Sequence, residues 1–440
     1  MKNLIKKIIP ANLFKFLRPL YHGCVAYIAS WYFGRPSLKL KVVGVTGTAG
    51  KSTTVQILAH ILNNTNKQEG GDKYKCGFVT TVSFFDGDNE LINRHGLSMP
   101  GGWLLQKQLK QIVENGCQFA VVECTSEGLM QNRHLGIKFD VVVLTNLSQA
   151  HLEAHGGFLG YRSAKGKLFS ALSPRGMQIS LVNSDDENAE WFLGFEAKHK
   201  IAAGFNKFVS EKPVAVYNAK QISGGFVLND VNFEVKLPGE FNLYNALLAV
   251  VAAHKLGVGL EFSSKVLSNF IGIRGRMEEV KNEKGFKIFV DYGCEPVSIR
   301  AALGAVNAMP HNRIIHVFGS TGGHRDIQKR FLFGQISAQL ADVIVITNDD
   351  VYESDPEKIA EDIEEGVRQV NGDALKAKQV IKHLDRRYAI TDAIKMAKAN
   401  DILLITGKGS EQFLILPGNK RVEWDDVVVV KDVLKNTEII

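Results

Sequence analysis

Short apolar runs without polar interruption recur along the chain. They fall at residues 39–46 (KLKVVGVT), 118–123 (QFAVVE), 139–146 (FDVVVLTN) and 177–183 (MQISLVN). Runs of this kind predict strands buried on both faces, the habit of a parallel sheet covered by helices. Helical stretches separate them, such as VQILAHIL at 55–62. The second half repeats the alternation with KIFVDY (287–292), RIIHVFG (313–319), DVIVITN (342–348) and DILLITG (401–407). The pattern predicts an α/β fold with crossover helices. Two domains are expected, at 40–275 and 276–440, preceded by a separate segment at 1–39. No short repeat or low-complexity tract interrupts them.

The first segment reads differently. Residues 20–33 (LYHGCVAYIASWYF) are apolar and aromatic and follow a basic stretch. They are too few for the roughly 20 apolar residues of a spanning helix. A signal peptide fits poorly, because Pro10, Lys15, Arg18 and Pro19 interrupt the apolar region and no small-residue cleavage site follows. Two readings remain. One is a helix lying on an anionic membrane surface. The other is a helical hairpin packed on the body with solvated lysines.

Composition narrows the class. Of 440 residues, 45% are hydrophobic and 22% charged, which excludes a mainly disordered chain. The net charge of +7 is carried by residues 1–40, and the first acidic residue is Glu69. The remainder balances, so a chain-wide nucleic-acid surface is not expected. Five scattered cysteines suit neither a disulfide framework nor a zinc cluster and point to a reducing, cytoplasmic setting.

The first strand runs into Gly47-Thr48-Ala49-Gly50-Lys51-Ser52-Thr53-Thr54 and then a helix. Strand, glycine turn, Lys-Ser and helix form the phosphate-loop context. Backbone N–H groups and the helix N-terminus favour an anion there. Lys51 would reach the β- and γ-phosphates, and Ser52 would hold magnesium. Val45 stands where the strict motif has its first glycine.

This loop resembles that of the Mur ligases and their relatives, the folylpolyglutamate and cyanophycin synthetases. Later landmarks resemble the family in order. Glu123, ending a strand before Thr125-Ser126-Glu127, matches a magnesium-binding glutamate. His151, in TNLSQAHLEAHG, matches a metal-binding histidine. Lys165, in YRSAKGKLF, matches a lysine that is carbamylated in several members and then helps to hold a second magnesium; a lysine paired directly with phosphate is the alternative. FNLYNA at 241–246 matches a region near the adenine, with Asn245 as base contact and Asn242 as a possible helix cap. In the C-terminal part, GRME (275–278), VDYGCEP (290–296), VFGSTGGHRD (317–326) and GKGSE (407–411) follow the family order. Arg276 and Asp291 would contact the nucleotide.

The resemblance implies an ATPase central domain with a phosphate loop, followed by a Rossmann-like C-terminal domain. It implies ATP and Mg2+, with Gly47, Thr48, Gly50, Lys51, Ser52 and Thr53 around the phosphates. Lys51, Glu123, His151 and Lys165 would be catalytic; Ser52, Glu123, His151 and carbamylated Lys165 would face metal. Ser98, Ser126, Arg133, Arg325, Asp349, Tyr352, Gly407 and Glu411 would contact substrate. The implied activity is ATP-dependent joining of an amino acid to a muramyl-peptide carboxylate through an acyl phosphate.

Several positions depart from the family pattern: Glu127, Ala150, Cys294, Tyr352 and Ser410. Tyr352 stands where the tripeptide-forming members use arginine on the diaminopimelate carboxylate, and a phenol cannot make that bidentate pair. Diaminopimelate is therefore not the expected amino acid. Only 40 residues precede the first strand, too few for the UDP-gripping domain of those members. A folylpolyglutamate- or cyanophycin-type ligase, and a non-catalytic nucleotide-binding partner subunit, are the alternatives.

Overall fold

The computed structural model describes residues 11–65, 73–94, 98–149, 152–323 and 327–436, without the side chains of residues 11–16, 152 and 154. The chain divides into two compact units. One holds the chain up to Lys236 together with Asn242–Phe270; the other holds Leu237–Phe241 and the chain from Ile271 onward.

The first unit is built on β1 (Lys41–Thr46), β2 (Cys76–Val79), β3 (Ser83–Phe85), β4 (Glu90–Ile92), β5 (Phe119–Glu123), β6 (Val141–Leu144), β7 (Ile179–Asn183), β8 (His199–Gly204) and β9 (Ala215–Asn218). Their order is β4-β3-β2-β5-β1-β6-β7-β8-β9. All pairings are parallel except β2–β3 and β3–β4 at one edge. The strands β5, β6 and β7 are buried at every position, as both-face coverage requires. A smaller antiparallel sheet follows: β10 (Lys220–Ile222), β11 (Gly225–Leu228) and β12 (Val231–Glu234).

The N-terminal segment falls within the first unit. Among the described residues it is one helix, Ala11–Tyr32, continuing through Pro19; the first half of the expected hairpin would fall in residues 1–10, outside the described residues. Its small residues Gly23, Ala26, Ala29 and Ser30 face the body. That lets it approach the helix Gly102–Glu114 closely: a Cβ on Gly102 would collide with Ala26.

The second unit has β13 (Glu278–Glu279), β14 (Lys287–Asp291), β15 (Ile314–Phe318), β16 (Val343–Ile346), β17 (Gln379–Lys382) and β18 (Ile402–Thr406), in the order β13-β14-β18-β15-β16-β17. Only the β13–β14 pairing is antiparallel. A hairpin, β19 (Phe413–Leu416) and β20 (Lys420–Glu423), follows. The expected α/β architecture with a mainly parallel sheet and a Rossmann-like C-terminal unit is what the chain forms.

Candidate active site

In both units the polar landmarks stand at the C-terminal ends of parallel strands, where open α/β sheets bind ligands. In the first unit the loop 47–50 leaves β1 at the centre of the sheet and enters the helix Lys51–Asn63. Gly50 takes φ +81°, a left-handed conformation suited to glycine. A Cβ there would run into the carboxamide of Asn245.

The segment after β6 clamps this loop. Asn146 Oδ1 accepts from Ala49 N at 3.0 Å, and Thr145 Oγ1 donates to Ala49 O at 2.6 Å. Thr48 Oγ1 accepts from Ser148 N at 3.0 Å and from the Tyr161 hydroxyl at 3.1 Å. The loop is thus held by its neighbours' strand ends before any anion arrives.

Two amines converge on one carbonyl. Lys51 Nζ donates to Gly47 O at 3.0 Å and to Thr48 O at 2.9 Å; Lys165 Nζ donates to Gly47 O at 2.7 Å. Lys165 comes from the helix Phe158–Ser170 and is fully enclosed, with its amine 4.5 Å from the Tyr161 ring centroid. Burial, reinforced by the Lys51 charge, pushes its pKa well below the ordinary lysine value; Glu123 and Cys124 pull the other way.

Ser52 Oγ donates to Glu123 Oε2 at 2.7 Å. The same carboxylate accepts from Thr81 N and Thr81 Oγ1, each at 2.9 Å. A hydroxyl and a carboxylate side by side at a phosphate loop are hard oxygen donors and fit Mg2+. His155 Nε2 lies 3.1 Å from Ser126 Oγ, and its ring meets Tyr161 edge-on at 5.2 Å. Burial lowers its pKa, with Lys165 acting in the same sense against Glu127. Three buried polar atoms around the loop have no partner among the described residues: Thr46 Oγ1, Ser148 Oγ and His155 Nδ1. Such atoms mark a place for a polar ligand.

The first unit therefore brings together Gly47, Thr48, Gly50, Lys51, Ser52, Glu123, Ser126 and Lys165, with Thr53 buried in the helix's first turn. His151 and Arg325 lie outside the described residues. Asn245 is buried; its Oδ1 accepts from Thr54 Oγ1 at 3.5 Å and its Nδ2 donates to Asn242 Oδ1 at 3.0 Å. That position backs the phosphate loop. Arg133 is buried and binds the Met99 carbonyl and Gln131 Oε1. Ser98 is half-buried ahead of the helix Gly102–Glu114. The sequence left Thr81, Tyr161 and His155 without roles. Threonines at the end of an apolar strand (GFVTT) and the tyrosine of YRSAK were the available signals.

The second unit gathers its own polar cluster. Arg276 lies over the Tyr292 ring, 4.2 Å from the centroid. Asp291 accepts from Met277 N at 2.9 Å and Gly293 N at 2.7 Å. Burial raises its pKa, opposed by Arg276 and these N–H groups. Buried Lys408 bonds Asp350 Oδ1 at 2.8 Å and pairs with Glu411. Asp349 lies beside it at 3.8 Å. Burial raises the Glu411 pKa, and Lys408 opposes that shift. Gly407, at φ +112°, leaves room for the Asp349 carboxylate. Tyr352 also has positive φ, +53°, and its carbonyl accepts from Gly418 N at 3.1 Å. Burial pushes the Cys294 thiol up to about 12, Glu295 reinforcing and Lys329 opposing, an environment that disfavours the thiolate.

Two family models match the chain: the Mur ligase middle domain over residues 45–253, and the Mur ligase glutamate ligase domain over residues 275–409. A UDP-N-acetylmuramoyl-L-alanyl-D-glutamate--2,6-diaminopimelate ligase of Geobacillus kaustophilus is 34% identical over 424 residues, covering 93% of this chain and 82% of the relative. The ligase of the same name from Gloeobacter violaceus is 35% identical over 414 residues, covering 92% and 79%. A solved UDP-N-acetylmuramoyl-L-alanyl-D-glutamate--2,6-diaminopimelate ligase superposes with a TM-score of 0.57 at 27% identity, over 91% of this chain and 79% of the other. The MurF ligase of Thermotoga maritima, solved with ADP, shares the fold with a TM-score of 0.64 at 18% identity, over 94% and 83%.

Proposed function

Since the chain belongs to the Mur ligase family, we propose that it is an ATP-dependent ligase that joins an amino acid to the carboxylate of a muramyl-peptide precursor of peptidoglycan. The observation that carries the reading is the convergence of Lys51, Ser52, Glu123 and Lys165 on one preformed phosphate loop. Similarity to the diaminopimelate-adding ligases supports the tripeptide-forming branch. The neutral Tyr352 argues for an amino acid other than diaminopimelate.

In this reading the loop N–H groups and the N-terminus of the helix Lys51–Asn63 bind the ATP phosphates. Lys51 leaves its carbonyl partners and pairs with the β/γ-phosphates. Ser52 and Glu123 would hold Mg2+, which supplies charge neutralisation at those phosphates. The acceptor carboxylate oxygen attacks the γ-phosphorus, the bond to ADP breaks, and an acyl phosphate forms. The neutral amine of the amino acid attacks the acyl carbon, inorganic phosphate leaves, and the ammonium proton goes to solvent or a nearby base. This chain contributes alignment and electrostatics rather than a covalent step.

Phosphate release measured with ATP, Mg2+, muramyl peptides and an amino-acid mixture tests the proposal. Release should require both acceptor and amino acid, and Lys51→Ala should lower kcat by about 10³ or more. Tight ATP binding without acceptor-dependent release would instead identify a non-catalytic nucleotide-binding subunit.

A further inference from the structure

The helix Ala11–Tyr32 has two apolar faces, and only one is used by the fold. Its inward face is made of small residues. Ser30 Oγ donates to Gly136 O at 2.9 Å, and Asn132 Nδ2 donates to Pro19 O at 3.4 Å. Its outward face carries Leu20, Tyr21, Tyr27, Ile28, Trp31 and Tyr32, each between 54% and 74% exposed. These positions recur at three and four residues and so form one stripe. No charged residue occurs from Leu20 to Gly34. Trp103, 44% exposed with its ring 5.2 Å from Tyr32, extends the patch onto the neighbouring helix. A helix packed on a soluble body normally turns polar residues outward, and a continuous aromatic patch of this kind marks a docking surface.

We propose that this face lies in the headgroup boundary of an anionic lipid bilayer. Charge identifies the occupant. The seven Lys and Arg residues among the first 40 account for the whole net charge of +7, and no acidic residue occurs before Glu69. Lys107 and Lys110 are exposed on the adjoining helix; the Lys110 ammonium lies 6.0 Å from the Phe33 ring centroid and 3.4 Å from Glu114 Oε1, an exposed pair that an anionic headgroup can replace. Tryptophan and tyrosine flanked by lysine and arginine suit the boundary between lipid headgroups and acyl chains. Arg18 pairs with Glu127 at 3.7 Å, as Lys110 does with Glu114, so part of the local charge is compensated; the net positive charge of the first 40 residues still opposes a second copy on this face. Among the described residues no helix is long and apolar enough to cross a membrane, so the helix lies in the plane of the surface.

The test is flotation of the full chain with vesicles of phosphatidylcholine alone and of phosphatidylcholine mixed with phosphatidylglycerol. The chain should float with the mixed vesicles, less so as salt rises. The double variant Ile28→Ser, Trp31→Ser should lower partitioning by about a hundredfold. Because both side chains point outward, its thermal unfolding should match the parent. As a second variant, Lys107→Glu, Lys110→Glu should weaken binding to the mixed vesicles. A chain that stays with neither vesicle overturns the proposal, as does equal flotation of the parent and the serine variant. So does a dimer in solution that the serine substitutions dissolve, since the face would then belong to a second copy. ATP turnover on a soluble acceptor is a separate readout, so loss of vesicle binding leaves the ligase reading standing.

Discussion

Replacing Lys165 with methionine tests the electrostatics of the phosphate site. The Lys165 amine shares the Gly47 carbonyl with Lys51, so the two nitrogens lie within about 6 Å of one another. Burial and that neighbour hold its pKa well below the ordinary 10.5. Between the lowered value and 10.5 the folded chain binds one proton fewer at this site than the unfolded chain. Unfolding free energy therefore rises with pH across that window, by up to about 1.4 kcal/mol per pH unit. Below the lowered value both states are protonated and the slope vanishes. Methionine has a similar length and no titratable group, so the variant lacks this contribution. It also loses the hydrogen bond to Gly47, a pH-independent cost of about 1 kcal/mol. Denaturant unfolding of both proteins in CO2-depleted buffer, from about pH 7 to about pH 10, should show the parent gaining on the variant as pH rises. Parallel stability curves would refute the assignment of a buried, neutral amine. Turnover gives a second readout. An uncharged amine is the form that adds CO2, so bicarbonate should raise the activity of the parent and leave Lys165→Met unchanged.

Gly50→Ala should cost about 1–3 kcal/mol and weaken ATP binding, through its left-handed φ and the collision with Asn245. Adding Asn245→Ala should recover part of the loss; complete recovery by calorimetric titration with ATP would show that the backbone conformation costs nothing. In the second unit, Arg386 and Asp426 form a bidentate pair at 2.9 and 2.7 Å with both side chains fully enclosed. Asp426→Asn should lower unfolding free energy by about 3–5 kcal/mol, and a denaturant midpoint unchanged from the parent would refute that value.

The sheet was legible because its central strands are uninterrupted apolar runs, a pattern that reads directly as burial on both faces. The strands β9 and β10 carry no such signal: they are short and mostly exposed, so nothing in AVYN or KQI separates them from loop. The helix Ala11–Tyr32 continues through Pro19, where local rules predict a break. At the site, Lys51, Glu123 and Lys165 could be found because each sits at a recognisable strand end or helix motif. Thr81 and Tyr161 could not be given roles this way. Their bonds to Glu123 and Thr48 span 42 and 113 residues of chain, and no local pattern encodes which strand ends meet. The Asn245 contact with Thr54 spans 191 residues for the same reason.

The departures from the family pattern bear on catalysis through where they point. Glu127, in place of the family histidine, is exposed; it accepts from Gln131 Nε2 at 2.7 Å and lies 3.7 Å from Arg18 of the N-terminal helix. These partners are on the N-terminal helix and its own helix, and its charge also reaches His155. Ser410 is buried, and its carbonyl accepts from Gln412 Nε2 at 3.2 Å, which secures the turn after Lys408. Cys294 remains a protonated thiol at neutral pH. Within the first unit, the hydrogen bonds of Lys51 and Lys165 to the carbonyls of Gly47 and Thr48, and of Ser52 and Thr81 to Glu123, are made without Glu127. A nucleotide-binding subunit without chemistry would use Lys165 only to grip phosphate, so Lys165→Met would weaken ATP binding there, whereas in a ligase it should lower kcat more than it weakens binding. Burial makes the charged form of Lys165 costly, so a neutral amine is the form that the proposed ligase would present to the phosphoryl-transfer step.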